Sequence, residues 1–347
     1  MKALITGSCG LVGSACAVYL AKHGFDIIGI DNDQRARFFG PSATTNPTLK
    51  RLHAELGHHY EHWSDVSIAS RGSIRALMAS RPDLIVHCAA QPSHDLAAKI
   101  PFEDFETNAV GTLNLLEAAR QYCPEAPFAF MSTNKVYGDR PNVYATVELD
   151  KRYELVVDCM GMWEHCDIDQ TMHSIFGCSK LAADILVQEY GRYFGMPTVC
   201  LRAGCLTGPQ HAGVELHGFL SYLIDCNVKE REYKIYGYKG KQVRDNLHAE
   251  DVARFVLEFF RKPKTAAVYN IGGGKPNSCS ILEAFEMAEA VTGKRMKWIY
   301  IDEPRIGDHI CYYSDLRKIK ADYPDWSVTH DLPSIFREIA EAKCAAL

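Results

Sequence analysis

The apolar run Ala3 to Thr6 passes straight into Gly7-Ser8-Cys9-Gly10-Leu11-Val12-Gly13, and an apolar helical pattern follows until His23-Gly24. No other stretch limits the fold so sharply. A strand that turns on glycine into a helix needs Gly7 for the tight turn, Gly10 so that backbone can approach a pyrophosphate, and Gly13 so that helix and sheet can pack. The N–H groups around Leu11 and Val12 at the helix start then favour phosphate. Asp31 closes the next strand-like run, 18 residues after Gly13, with Asn32 beside it. A carboxylate there accepts hydrogen bonds from ribose hydroxyls and repels a 2′-phosphate. NAD is therefore expected in preference to NADP, even though Arg35 and Arg37 lie close behind with guanidinium groups suited to phosphate.

The same alternation continues down the chain. Ala3 to Thr6, Asp26 to Ile30, Leu84 to Cys88, Phe128 to Ser132 and Thr198 to Arg202 read as strands, and amphipathic stretches near 11–22, 70–80, 107–121 and 176–194 separate them. This pattern predicts an α/β fold, a Rossmann-type doubly wound parallel sheet. After about Gly208 the alternation weakens into an extended Lys234 to Tyr238 and helices from about Asp251, Ser280 and Leu332. The expected division is a cofactor domain over 1–207 and a smaller mixed α/β substrate-binding part over 208–347, with some later segments returning to the first domain.

With 347 residues, 47% hydrophobic and 23% charged, the chain has the composition of a globular protein able to bury a large core. Its 38 basic residues against 43 acidic ones, net charge −5, argue against a protein held to nucleic acid by phosphate neutralisation. The thirteen cysteines are scattered, odd in number and without a C-x-x-C pair, no apolar run is long enough for a membrane span, and no signal-peptide pattern opens the chain. A reduced, cytoplasmic protein acting on a small molecule is expected, with no membrane and no nucleic-acid partner.

The G-x-x-G-x-x-G spacing resembles that of the extended short-chain dehydrogenase/reductase family of nucleotide-sugar epimerases and dehydratases, and further motifs match along the chain. Asp65-Val66 resembles the adenine-contacting pair, His87-Cys88-Ala89-Ala90-Gln91 the loop over the cofactor, Asn108-Ala109-Val110-Gly111-Thr112 the N-x-x-G-T helix, and Ser132 to Gly138 the catalytic Ser/Thr loop. Gly240 to Asp245 and Arg305-Ile306-Gly307-Asp308 resemble the segments whose arginines hold a substrate pyrophosphate. Within the family, the wording of Ser132 to Asp139, His173 to Asp184 and Gly240 to Asp251 is most similar to that of CDP-tyvelose (CDP-paratose 2-) epimerases.

This resemblance implies bound NAD and a homodimer or homotetramer. It also implies an NAD-dependent epimerase of a nucleotide sugar, a CDP-hexose inverted at carbon 2 through a transient keto-sugar. For the cofactor it implies Gly7, Gly10, Leu11, Val12, Gly13, Asp31, Asn32, Asp65, Val66, Ala89, Ala90, Gln91, Asn108, Ser132 and Lys180. For the substrate it implies Asn134, Arg202, Tyr236, Arg244, Arg305 and Asp308.

Removing a hydroxyl proton as hydride leaves carbon needs a base, a hydrogen-bonding alcohol and a cation. The family supplies Thr or Ser, a Tyr, and a Lys four residues later on the same helix face. Thr133 and Lys180 are present, but the tyrosine position is Phe176. Three readings stand: an engineered variant, a natural enzyme with the proton-transfer role moved, or a binder of NAD and nucleotide sugar that lost the chemistry. The replacement candidates are Lys180, a water on Thr133, and His173, which precedes Phe176 by three residues and would share its face on a helix. Family dehydratases carry Asp-Glu directly after the catalytic Thr. Asn134-Lys135 stands here, which favours epimerisation over dehydration, with another NAD-dependent sugar modification as the rival.

Other clusters are read structurally. His53, His58, His59 and His62 lack the glutamate of a helical H-E-x-x-H pair and read as a solvated polar stretch. Cys200 and Cys205 read as small apolar residues, so no metal centre is expected. Tyr233, Tyr236 and Tyr238 alternate as in a half-buried strand, and Gly272-Gly273-Gly274 reads as a turn. Met160 to Asp167 stays unassigned.

Overall fold

In a computed structural model, residues 1–156, 160–215, 218–305 and 307–345 are described. The sequence-predicted strands form at β1 (Lys2–Thr6), β2 (Asp26–Ile30), β4 (Leu84–His87) and β5 (Phe128–Thr133), and a further strand, β3, runs over Tyr60–Trp63. With Thr198–Ala203 and Ala267–Ile271 they make a seven-stranded sheet, ordered Ala267–Ile271, Thr198–Ala203, β5, β4, β1, β2, β3. The pairings from β5 through β4, β1 and β2 to β3 are parallel. Every residue of β4 is buried, as expected of a parallel strand covered on both faces.

Helix α1 (Leu11–Lys22) buries Gly13, Cys16, Ala17 and Leu20, an i, i+3, i+4, i+7 stripe of mostly small side chains that packs against the helix Ala249–Arg261. That helix returns its own apolar face, Val252, Phe255, Val256 and Phe259, all fully buried. The chain divides into two discontinuous compact units. One contains Met1–Val136, Ile175–Arg202 and Ala249–Tyr269, and the other Tyr137–Ser174, Ala203–His248 and Asn270–Leu347.

The second unit has a sheet around the strand Val243–His248, which pairs antiparallel with Ser278–Ser280 and parallel with Cys205–Thr207 and Cys311–Tyr312. Gly272 and Gly273 press on this strand. A Cβ on Gly272 would lie 2.1 Å from an Asp245 carboxylate oxygen, and one on Gly273 2.2 Å from the Asn246 carbonyl. The glycine triplet is thus a close-approach turn that seats the buried Asp245, whose carboxylate accepts from the Gly274 and Ser314 N–H groups.

The histidine cluster is solvated as expected, with His53, His58 and His59 exposed and His62 half-buried; His62 belongs to edge strand β3 while His58 and His59 lie in the turn before it. His58 and His62 therefore share no helix face. Tyr238 is not in the strand with Tyr233 and Tyr236, because the strand ends at Tyr236 and the chain turns at Gly237 and Tyr238 with φ of 60° and 51°. Among the described residues no helix is long and apolar enough to cross a membrane.

Candidate active site

The strand order reverses between β1 and β4, and in doubly wound sheets the crevice at that switch point receives the ligand. The Gly7 to Gly13 turn leaves the carboxyl end of β1, and Cys88 to Gln91 leave that of β4. Gly7 has φ +67°, and a Cβ on it would lie 2.8 Å from the Ala89 backbone nitrogen. On Gly13 a Cβ would lie 2.1 Å from the Gly7 carbonyl, and on Gly10 3.2 Å from it. Gly10 caps α1 with no side-chain hydrogen bond and no acid stands in the first turn, which leaves the positive helix end open to phosphate. This bare, close-packed cradle fits a dinucleotide.

Asp31 stands beside it. Its carboxylate accepts from the Cys9 N–H at 3.0 Å and the Asp33 N–H at 3.0 Å. Burial pushes its pKa up against the pull of those N–H groups. The Thr45 hydroxyl also donates to this carboxylate at 3.3 Å; two carboxylate oxygens offer about four acceptor sites, so capacity for one ribose hydroxyl remains. Arg37 is drawn to Glu103 at 2.8 Å, which removes one of the two cations a 2′-phosphate would use. Asn32 and Asp65 are exposed, whereas Val66 is buried; Ala89 and Ala90 are half-buried.

Gln91 and Asn108 do not present free side chains. Asn108 accepts from the Gln91 N–H at 2.9 Å and donates to the Gln91 carbonyl at 3.2 Å and the Ser179 hydroxyl at 3.0 Å. The Gln91 amide donates to Asp104 at 2.7 Å, and Ser179 donates to Asp104 at 2.5 Å. Asn108 lies in a π-type turn, Glu106–Val110, ahead of the helix Gly111–Tyr122. These buried amides fix the loop after β4 to two helices, because each buried polar atom needs a partner. His87 closes the same interior, its ring bonded to the hydroxyls of Thr6 at 2.7 Å and Thr112 at 2.9 Å. Burial holds it neutral, well below the ordinary histidine range.

Lys180 and Phe176 lie on the helix Ile175–Phe194, four residues apart and both buried. The Lys180 ammonium donates to the Met131 carbonyl at 2.7 Å and sits 4.1 Å over the Phe130 ring. Burial brings its pKa down to about 8, against the pull of Asp184. Thr133 ends β5, and its hydroxyl accepts from the Lys135 N–H at 3.2 Å. Asn134 is buried beside it.

His173 is not on that helix, which begins at Ile175. Its Nε2 lies 2.8 Å from the Ile168 carbonyl. The helical-face argument for His173 fails on that geometry. Arg202 is 5% exposed and ion-paired at 2.8 Å with the fully buried Asp184. Ser132 donates to the same carboxylate at 2.5 Å. Arg202 and Ser132 thus neutralise and cap a buried carboxylate. Asp184 follows Lys180 by four residues on the helix Ile175–Phe194, so the two share a helix face.

In the second unit Arg244 ends 3.1 Å from the Asp308 carboxylate and donates to the Val243 carbonyl at 2.7 Å. Tyr236 donates to Glu215 at 3.0 Å. Arg305 is half-buried, and Ile306 between it and Asp308 lies outside the described residues. In the unassigned segment, Glu164 accepts from the Asn270 N–H at 2.7 Å, which gives it a structural anchor.

A glycine cradle at the switch point, an acid at the end of β2, and a helix lysine behind a threonine-bearing strand define a Rossmann-type dinucleotide-binding protein. The chain belongs to the NAD dependent epimerase/dehydratase family, whose model matches residues 3–272. It is 35% identical to the CDP-paratose 2-epimerase of Salmonella typhi over 339 residues, 94% of each chain. It is 28% identical to the dTDP-glucose 4,6-dehydratase of Salmonella typhimurium, covering 98% of this chain and 92% of that one. Among solved structures, a UDP-glucuronic acid 4-epimerase from Bacillus cereus superposes with TM-score 0.79 at 23% identity, with both chains covered completely. That likeness shows the fold.

Proposed function

We propose that this protein is an NAD-dependent epimerase that inverts carbon 2 of a CDP-hexose through a transient keto-sugar. The observation that carries the reading is the near full-length similarity to a CDP-paratose 2-epimerase, joined to Asn134-Lys135 after Thr133 where a dehydratase would need a further acid and base. NAD, when bound, supplies a reversible hydride acceptor. The cradle of Gly7, Gly10 and Gly13 with Asp31 holds its pyrophosphate and ribose, and the Ala89-Ala90 backbone lines it.

The proton is handled without a phenol. Phe176 has no exchangeable proton, so the sugar hydroxyl gives its proton to the neutral form of Lys180, with the Thr133 hydroxyl orienting the oxygen. A lysine with a pKa near 8 is neutral in about a tenth of molecules at pH 7, enough for a general base. Arg244 and Arg305 take the substrate diphosphate through their guanidinium forks, and Asp308, drawn to Arg244, gives way to it. None of the twelve described cysteines is in a disulfide, which supports a reducing, cytoplasmic setting. There we take the enzyme to act as a homodimer or homotetramer.

Incubating the purified protein with CDP-, UDP- and dTDP-hexoses and analysing the sugars tests this. Inversion at carbon 2 of the CDP-sugar without accumulation of NADH is expected. Net NADH points to another oxidative modification. Tight binding with no product in any sugar makes the chain a binder, the reading Phe176 also favours.

A further inference from the structure

His248 ends the strand Val243–His248, and its ring stacks on that of His330 with centroids 4.1 Å apart and planes 23° apart. Glu338 stands against both. Its carboxylate is 3.3 Å from His248 Nε2 and 3.9 Å from His330 Nε2. One ligand atom from each of the three residues falls within 4.8 Å of the others. We propose that His248, His330 and Glu338 bind one borderline divalent cation of the zinc and cobalt type.

Two imidazoles and a carboxylate are the donor set of such ions, and three protein ligands leave a position for water. Bonds of about 2.0–2.1 Å arranged tetrahedrally place ligand atoms about 3.3 Å apart. The pair His248 and Glu338 already has that spacing, and His330, 3.9 Å from the other Glu338 oxygen and with its ligand atom within 4.8 Å of the others, has to close by at most about 1.5 Å. Two of the ligands ride on fixed elements, which a metal site needs, and the third is tethered through its backbone. His248 pairs in register with Thr207 across the sheet. The His330 carbonyl accepts from the Asn277 amide at 2.7 Å. Glu338 lies on the helix Leu332–Cys344, whose start is capped by Asp331 and whose Ile335 and Ile339 are fully buried. The ion would tie this C-terminal helix to the strand that carries Arg244.

The alternative is an imidazolium–carboxylate contact that holds only a proton. Titrating the NAD-containing protein with cobalt and with zinc, by calorimetry and by cobalt absorption, separates the two. One equivalent bound with micromolar affinity is expected, together with a higher Tm in the presence of metal. In Glu338→Gln and in His330→Asn the affinity should fall by more than the about 100-fold that loss of an outer-shell partner can cost, and the Tm shift should vanish, while the NAD content stays the same. His330 is only partly buried, so its replacement keeps the core. Absence of stoichiometric binding, or equal binding by both variants through the scattered cysteines, overturns the proposal.

Discussion

Lys180 donates its ammonium proton to the carbonyl of Met131 at 2.7 Å, two residues before Thr133 on β5. The contact fixes the amine beside the strand end that carries the alcohol. Burial brings the Lys180 pKa from 10.5 down to about 8. Between those two values the unfolded chain holds a proton that the folded one has released, so the residue's contribution to stability rises with pH over that window.

A neutral-amine base makes turnover rise with pH and level off above about 8. Replacing Lys180 with Met should lower turnover by about 10²-fold to 10⁴-fold and flatten the stability gain between pH 8 and 10.5, read from rate profiles and from denaturant melts. A Lys180→Met protein that keeps its rate and its pH profile would move the base to a water on Thr133.

Phe176→Tyr places a phenol four residues before Lys180. If the chain works naturally without one, turnover should change by less than about 10-fold. A gain of about 10²-fold to 10⁴-fold, the usual worth of a positioned acid–base group, would mean that Phe176 stands where the working enzyme needs tyrosine.

Much of this arrangement was legible in the sequence. The β1 turn, α1 and Asp31 follow from local spacing, since glycine and strand signals act within about 30 residues. The ion pair of Arg202 with Asp184, 18 residues earlier, was not legible, because no local spacing rule joins a strand residue to a helix residue at that separation. β3 was missed because an edge strand with Glu61, His62 and Trp63 facing partly outward carries little apolar alternation. The trio His248, His330 and Glu338 is spread over ninety residues, beyond the reach of any spacing rule.

Arg202→Met leaves Asp184 charged and buried without its partner. A stability loss of about 3–5 kcal/mol is expected, measured by denaturant unfolding. A loss below about 1 kcal/mol, with a weakened affinity for sugar nucleotide, would return Arg202 to the substrate.

Arg244→Ala and Arg305→Ala should each weaken the sugar nucleotide by about 10-fold to 100-fold, the worth of a charge-assisted hydrogen bond to phosphate, and leave NAD binding unchanged. Calorimetry with CDP-hexose and with NAD reads both. Unchanged affinity in both variants would place the diphosphate elsewhere.

Deuterium at carbon 2 of the CDP-hexose tests the central claim most directly. Inversion through a keto-sugar with hydride returned to the same carbon predicts an epimer that keeps its deuterium at carbon 2, in ordinary water and without net NADH. Loss of that deuterium to solvent, or no inversion at carbon 2 in the presence of bound NAD, would contradict it.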